Sequence, residues 1–324
     1  QGLTIQNGFL AGALGLNAAV INPPYPPIDQ TPPPPNQANS GEDAIGDGYG
    51  GAILCENGSS PTILNCIFKN CVVTGGYGGD GANGRPAVED AEAPGEDGQS
   101  GGDGGSGYGM GYGGAIACLD GSSPVIKNCL FDGNMAMGGC GGRGGSGSNG
   151  EGNGKGSWGG NGGNANGNGS GGAVYVEAGC KPMINNCIFK NNTAQHGTPG
   201  TGGFSGTGSA YNDPWDRFWP GMNGSIQVYA HQPLDGGAIK FGGKTQNTLE
   251  NCTFKNNRAF EDSFENSIEN FMDVYITVLQ RLYTNGGGVS VGGGLGGKIT
   301  LRECRFEENM GGAVWCGEYV AVEI

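Results

Sequence analysis

The stretch GGAVYV at residues 171–176, followed by NNCIFKNN at residues 185–192, decides the fold, because the chain repeats it. Five copies share the same order of a Gly-Gly opening and a later Cys-x-Phe segment. The openings lie at residues 50–51, 113–114, 171–172, 236–237 and 287–288, and a sixth lies at 311–312. Nothing intervenes between residues 287 and 311, so the bare unit is 24 residues long.

A fixed period with a constant internal register is the signature of a solenoid. The unit has no helical periodicity, and its short alternating apolar segments are separated by turns such as GSSP at residues 58–61 and 121–124. These features predict an all-β fold, a right-handed single-stranded parallel β-helix of about six coils. We expect residues 1–324 to form a single β-helix domain.

The repeat resembles a known family. Gly-Gly-Ala followed by Ile or Val, paired with Phe-x-x-Asn, resembles the repeats of the polymorphic outer-membrane proteins, which are bacterial autotransporter surface proteins. The Phe-x-x-Asn copies start at Phe131, Phe189, Phe254 and Phe306, whereas the first copy has Cys71 in place of Asn. The resemblance covers the repeats but not the insertions between them. It implies a secreted β-helix, and an adhesin that binds host or glycan surfaces is one function consistent with it.

Composition narrows the class of protein. The chain has 324 residues, of which 72 are Gly and 35% are hydrophobic, so the core must be narrow. The net charge of -14 argues against nucleic-acid binding. No stretch reaches the ~18 apolar residues of a membrane span, and no signal peptide is visible.

Long insertions separate the repeats, always between the Asn after the Phe and the next Gly-Gly. They span residues 10–49, 74–112, 137–170, 195–235 and 260–286. Proline runs within residues 23–35 favour extended polyproline II, either as a packed strap or as a disordered linker. Residues 262–283 have apolar residues at helical spacing and predict an amphipathic helix, which would cover the solenoid or contact a neighbouring subunit.

Glycine recurs at every third residue in three of the insertions. The runs start at Gly75, Gly95, Gly138 and Gly197. This period favours polyproline-II-like and polyglycine II helices, which have about three residues per turn. They would pack side by side, one set per repeat. Flexible low-complexity sequence is the alternative.

Repeated polar positions predict structural ladders. Five cysteines occupy one position of the repeat, and we expect mostly buried thiols there. They are Cys66, Cys129, Cys187, Cys252 and Cys304. Four asparagines end the Phe motif and predict a ladder of side-chain amides. They are Asn134, Asn192, Asn257 and Asn309.

Candidate binding and catalytic residues are few. Trp215, Phe218 and Trp219 either contact a glycan or partner, or anchor their own loop. No Ser-His-Asp or paired-carboxylate constellation emerges, although a polysaccharide lyase or hydrolase remains an alternative. We expect no cofactor, and only a faint Ca²⁺ motif occurs near Asp80 and Asp103. Five Asn-x-Ser/Thr sites leave glycosylation open; they are at Asn57, Asn168, Asn191, Asn223 and Asn251.

The most specific expectation is a non-enzymatic extracellular structural protein. Gln1 and Ile324 both fall inside strand patterns, so another repeat is expected to continue the stack. Either the chain is a segment of a longer solenoid, or subunits add head to tail into a cell-surface filament or surface layer. The expected partner is therefore the chain itself.

Overall fold

The computed structural model describes residues 2–12, 38–85, 98–149, 156–206, 226–227, 234–243, 246–260, 284–285, 287–292, 297–310, 312–316 and 320–323. The proline runs, the helix expected at residues 262–283 and the aromatic residues Trp215, Phe218 and Trp219 lie outside these residues. Every regular element in the described residues is a β-strand.

Strands from successive repeats pair in parallel and form six sheets, numbered here in the order in which the chain passes through them. Sheet 1 follows the Gly-Gly pairs and contains Ile53–Cys55, Ile116–Cys118, Val174–Val176, Ile239–Phe241, Val289–Val291 and Val314–Cys316. Sheet 2 contains Thr62–Leu64, Val125–Lys127, Met183–Asn185, Gln246–Glu250, Gly297–Arg302 and Val320–Glu323. Sheet 3 contains Thr4–Gln6, Ile67–Lys69, Leu130–Asp132, Ile188–Lys190, Thr253–Lys255 and Arg305–Glu307.

Three sheets with fewer strands flank the insertions. Sheet 4 leads out of each repeat and contains Phe9–Ala11, Val72–Thr74, Met135–Met137, Thr193–Gln195 and Arg258–Phe260. Sheet 5 contains Ala44–Ile45, Gly107–Tyr108, Ala165–Asn166 and Ile226–Gln227. Sheet 6 leads back to Gly-Gly and contains Gly48–Tyr49, Gly111–Tyr112, Gly169–Ser170, Leu234–Asp235 and Thr284–Asn285.

Equivalent residues of successive repeats lie directly opposite each other. In sheet 3, for example, Phe68 pairs with Phe131, and Phe131 pairs with Phe189. The chain is therefore all-β in its described part, with parallel sheets stacked in register, an arrangement compatible with a parallel β-helix. The prediction of an all-β, parallel, stacked structure is confirmed to this extent.

The core lies between sheets 1, 2 and 3. The middle residue of each sheet 3 strand points inward, and Phe68, Phe131, Phe189 and Phe254 are fully buried. Their rings stack with centroids 4.7 to 5.0 Å apart, and the stack continues to Phe306. Because a strand's side chains alternate between faces, each three-residue strand of sheet 3 contributes its middle residue, whereas a sheet 1 strand contributes its first and third, such as Val174 and Val176.

The repeat turns at residues that adopt a left-handed backbone. Asn128 and Asn186, which precede the buried cysteines, have φ of 54° and 52°. Asparagine tolerates this conformation better than other residues with a side chain, which explains why it recurs there. The sequence pattern therefore places a corner of the repeat between sheets 2 and 3.

The two glycines of the Gly-Gly pair meet different requirements. In the first four pairs the first glycine has positive φ, for example 69° at Gly113 and 67° at Gly171. The second glycine of these pairs has φ outside that region but no space for a side chain, since a Cβ at Gly114 would overlap the carbonyl oxygen of Gly172. The motif thus combines a turn with close contact between neighbouring repeats.

Candidate functional site

The Gly-rich insertions form one assembly, which we call the glycine bundle. Its outgoing segments leave sheet 4 and comprise residues 75–85, 138–149 and 197–206. Its return segments lead to sheet 5 and comprise residues 38–44, 98–107 and 156–164. In the described residues these segments contain little assigned secondary structure, yet regular hydrogen bonds connect them.

Segments of the same kind are joined by parallel hydrogen bonds at every third residue. Among outgoing segments, the N–H groups of Gly78, Gly81 and Gly84 donate to the carbonyls of Cys140, Arg143 and Ser146 at 2.8 to 2.9 Å. Among return segments, the N–H groups of Gly101, Gly104 and Gly107 donate to the carbonyls of Trp158, Asn161 and Asn164 at 2.8 to 3.0 Å. The bundle therefore stacks in the same repeat-by-repeat manner as the sheets.

Outgoing and return segments are joined by antiparallel hydrogen bonds, also at three-residue steps. Gly105 donates to Gly79 and Gly102 donates to Ala82, at 2.8 and 2.9 Å. The same pattern continues along the stack through Gly142 to Gly105, Gly145 to Gly102, Gly163 to Gly142, and Gly160 to Gly145. Each interior segment thus has hydrogen-bonded neighbours in more than one direction.

The segments consist of three-residue units, or triplets, such as residues 141–143. In several triplets the N–H of the third residue donates to a side chain of the preceding segment. The Oδ1 atoms of Asp80 and Asn83 accept from the N–H groups of Arg143 and Ser146, at 2.7 and 2.8 Å. Asp103 Oδ1 likewise accepts from Asn161 at 2.7 Å. Together, the three bonding patterns satisfy all three N–H groups of a triplet, which is the requirement for burying backbone.

Glycine is required at many positions of this bundle because neighbouring backbone leaves no space there for a Cβ. A Cβ at Gly104 would overlap the carbonyl oxygen of Gly142, and a Cβ at Gly142 would overlap that of Gly79. A Cβ at Gly163 would overlap the carbonyl oxygen of Gly105. The Cα–H bond that replaces each Cβ points at that oxygen, a weak but repeated attractive contact.

The asparagines of the predicted ladder are joined by a continuous chain of buried hydrogen bonds. Asn192 donates from Nδ2 to Asn257 Oδ1 at 2.9 Å and to the carbonyl of Phe131 at 3.1 Å. Its Oδ1 accepts from both the N–H and the Nδ2 of Asn134, at 3.0 and 2.9 Å. Asn309 continues the ladder beyond Asn257 at 3.0 Å.

The ladder ends at Cys71, the residue that replaces Asn in the first copy. The Cys71 N–H still donates to Asn134 Oδ1, at 3.0 Å, but the thiol offers no amide to continue the chain. Burial raises the pKa of the Cys71 thiol, so the group stays protonated. The departure from the repeat motif is thus tolerated at one end of the ladder.

The predicted Cys ladder follows the corner between sheets 2 and 3. Cys66, Cys129, Cys187 and Cys252 are buried, and Cys304 is partly buried. All eleven cysteines are free thiols. Each ladder thiol donates to the carbonyl two residues before it, as Cys187 does to Asn185 at 3.3 Å. The thiols therefore serve as small core side chains with a weak local hydrogen bond.

A tyrosine stack covers the outer surface beside sheets 1 and 6. The rings of Tyr49 and Tyr112 are stacked at 5.0 Å, and Tyr175 contacts Tyr112 at 4.5 Å. Burial and the neighbouring Asp47 carboxylate raise the pKa of Tyr49 to about 12. The sequence pattern alone did not reveal this stack, since Tyr175 comes from a different strand of the repeat.

His196 lies where the third outgoing segment leaves sheet 4. Its side chain is buried, and its Nδ1 lies 2.6 Å from Asn168 Oδ1. Its Nε2 has no hydrogen-bond partner in the described residues. Burial lowers the pKa of His196, because a buried imidazolium would lose its hydration.

We expect acid to destabilise the fold through His196. The folded state favours the neutral ring, so its stability should fall as pH drops below the ordinary histidine pKa of about 6.5. Replacing His196 with Gln should flatten the dependence of the unfolding midpoint on pH between about 7 and 5. Chemical denaturation across this range measures the effect. An unchanged slope in the Gln variant would contradict this assignment.

The structure does not assemble a catalytic or metal constellation from its described residues. No group of three or more His, Cys, Asp or Glu that could hold a metal ion occurs in the described part of the chain. Asp80 and Asp103, near the faint Ca²⁺ motif, accept backbone N–H groups through Oδ1. Nor is there a helix, among these residues, long and apolar enough to cross a membrane.

Sequence reasoning missed the side chains that connect the bundle segments. Asp80, Asn83 and Asp103 follow glycines at the third position of a triplet, and this position was the available signal. Short acceptors there suit a neighbouring backbone N–H. The partners are 58 or 63 residues away, and only the repeat register identifies them.

The chain was compared with protein families, curated proteins and solved structures. No family model, no curated protein and no solved structure matches it.

Proposed function

We propose that the chain is a non-enzymatic structural protein of the cell surface, a subunit or segment of an extracellular fibre, filament or surface layer. In this proposal the repeats form a right-handed parallel β-helix of about six coils. The glycine bundle segments are polyglycine II helices packed beside it. The partner is another copy of the chain, added head to tail.

The observation that supports this proposal most directly is the shared register of the two lattices. Asp80 and Arg143 of the outgoing segments are 63 residues apart, and so are Phe68 and Phe131 of sheet 3 (131 − 68 = 63). Sheets and bundle therefore repeat along one common axis. Such a stack is one-dimensional, since each repeat contacts only its neighbours, and it suits a rod-like scaffold.

The polyglycine II assignment draws on the hydrogen-bond period and the backbone. The three-residue step equals the turn of that helix, which has about three residues. The described glycines of the six bundle segments all have φ outside the positive region. A left-handed helix of this type requires φ near ~-75°.

In this proposal, head-to-tail addition joins the two outer strands of sheet 3. Among the described strands these are Thr4–Gln6 and Arg305–Glu307. The edge of a strand can pair with a strand of another chain. Pairing these two different edges is a heterologous contact, which produces an open filament when it repeats. The extracellular location draws on the resemblance of the repeat to autotransporter surface proteins.

An edge-blocking variant tests the proposal. Asn7 donates to Lys69, and Leu3 accepts from Ile67, so by alternation the N–H of Gln6 points away from the sheet. Gln6→Pro removes this outward donor without removing a bond inside the chain. Gln6→Ala is the matched control. We expect concentration-dependent rods in electron micrographs of wild type and Gln6→Ala, and loss of rods in Gln6→Pro.

Other outcomes have equally clear meanings. Monomers at every concentration in all three proteins would contradict self-assembly. If Gln6→Pro formed the same rods as the wild type, the contact between subunits would not involve the Thr4–Gln6 edge. Specific glycan binding that is lost on Trp215→Ala would favour an adhesin, and release of sugar ends from polysaccharides would favour an enzyme.

A further inference from the structure

The fold distinguishes sharply between the Asn-x-Ser/Thr sites of the chain. Four of the five lie in described residues, at Asn57, Asn168, Asn191 and Asn251, whereas Asn223 lies outside them. An acceptor asparagine must present a free amide nitrogen, and its tripeptide must leave the protein surface to enter an enzyme groove.

Three sites fail both requirements. Asn168 is 2% exposed, so its amide nitrogen is buried, and its Oδ1 lies 2.6 Å from His196 Nδ1. Asn191 and Asn251 are exposed, but each donates from Nδ2 at 3.0 Å, to Asp132 and to Asn186 respectively.

The backbone that follows these asparagines is also held in paired strands. Ser170 lies in a sheet 6 strand, Thr193 in sheet 4 and Thr253 in sheet 3. Each of these strands is paired with a neighbouring strand on both sides. Freeing any of these tripeptides would break pairing between repeats.

The site at Asn57 differs in its amide and in lying outside the strands. Its backbone makes two bonds to the next repeat, from the Gly58 N–H to Asp120 at 3.0 Å and from the Ser123 N–H to Ser59 at 3.2 Å, but these bonds belong to a turn and not to a sheet. Asn57 and Ser59 are exposed, and both lie in the turn between Ile53–Cys55 and Thr62–Leu64. The Asn57 amide has no hydrogen-bond partner in the described residues. A Cβ added at Gly58 would meet nothing within 4 Å, so the turn is open to a large molecule.

We propose that Asn57 is an acceptor site for N-linked glycosylation, and that the fold excludes the other three described sites. The donor is a nucleotide- or lipid-activated sugar diphosphate. In the transfer, a bond forms between Asn57 Nδ2 and the sugar C1 while the C1–O bond to the diphosphate breaks. The amide nitrogen loses one proton, which passes to solvent, and the diphosphate leaves with the bonding electron pair. This site is independent of self-assembly.

The test uses the folded chain, a soluble N-glycosyltransferase and UDP-glucose. Peptide mass mapping should find one hexose on the peptide that contains Asn57. Asn168, Asn191 and Asn251 should be modified at least about tenfold more slowly. Synthetic peptides of all four sites should be modified, which shows that the fold, rather than the local sequence, makes the difference.

Two exposed neighbours supply matched variants. Ser59→Ala destroys the recognition tripeptide and should abolish the modification, whereas Ser60→Ala keeps it and should leave the modification unchanged. Absence of hexose on folded wild type, with the Asn57 peptide modified, would overturn the proposal. So would equal modification of all four sites in the folded chain.

Discussion

Replacing Gly142 with alanine is expected to disrupt the glycine bundle while the β-stack stays folded. The added Cβ would overlap the carbonyl oxygen of Gly79, and the next nearest atoms are also backbone. Gly142 itself donates to Gly105 at 2.8 Å, so it cannot move away without breaking that bond. Overpacking of this kind typically costs about 1–3 kcal/mol, and we expect the upper end here.

Hydrogen exchange measured residue by residue is the appropriate readout for Gly142→Ala, because a repeat structure need not unfold in one step. Amides of residues 98–107 and 138–149 should exchange at least about tenfold faster, while those of sheet 3 keep their protection. Arg143→Ala is the control, since Arg143 is exposed and adjacent. Equal effects of the two substitutions would show that the bundle has space for side chains.

Asn192→Ala is expected to have the largest effect on the β-stack. The substitution removes the acceptor shared by the Asn134 N–H and Nδ2, so that Nδ2 keeps only its bond to Phe68, and it removes the side-chain donor of the Phe131 carbonyl. The site is fully buried. Each buried polar group left unpaired costs about 1–3 kcal/mol, so we expect a total loss of about 3–5 kcal/mol.

The denaturation midpoint of Asn192→Ala should fall well below that of wild type, with the fastest local exchange in the sheet 3 and sheet 4 strands around Asn192. Asn191→Gly is the matched control. It removes the adjacent exposed amide, and glycine accepts the φ of 56° found there. A similar loss in both variants would mean that the ladder contributes little beyond its turn.

The repeat made sheets 1 to 3 and the two ladders predictable. Once Phe68 and Phe131 are aligned by motif, their pairing follows, and so does the stacking of each residue at a constant offset from them. The positions of Asn134 and Cys129 in their ladders follow in the same way. Local alternation alone would not have sufficed, because strands of three residues carry almost no periodic signal.

The glycine bundle was only partly predictable. A glycine at every third residue indicates a three-residue period, but a disordered chain can carry the same composition. The roles of Asp80 and Asp103 depend on N–H groups in other insertions. Sheets 4 to 6 also escaped prediction, since Gly48–Tyr49 and Gly111–Tyr112 are too short and too Gly-rich to indicate strands.

The triplet hydrogen bonding also constrains how the gene can change in length. One inserted residue would shift a side chain onto a glycine position, whereas three residues added to an outgoing segment and three to its return segment would preserve every contact. Tandem nine-nucleotide duplications on both arms are therefore the tolerated unit of growth. Insertions or deletions of other lengths must lie at the tips between the arms. The outgoing partners Asp80 and Arg143 are 63 residues apart, but the return partners Asp103 and Asn161 are only 58 apart. The difference of five residues (63 − 58) therefore lies in the sequence between the arms. Homologous genes should thus vary freely in length at the insertion tips. Along the arms they should differ by multiples of three codons.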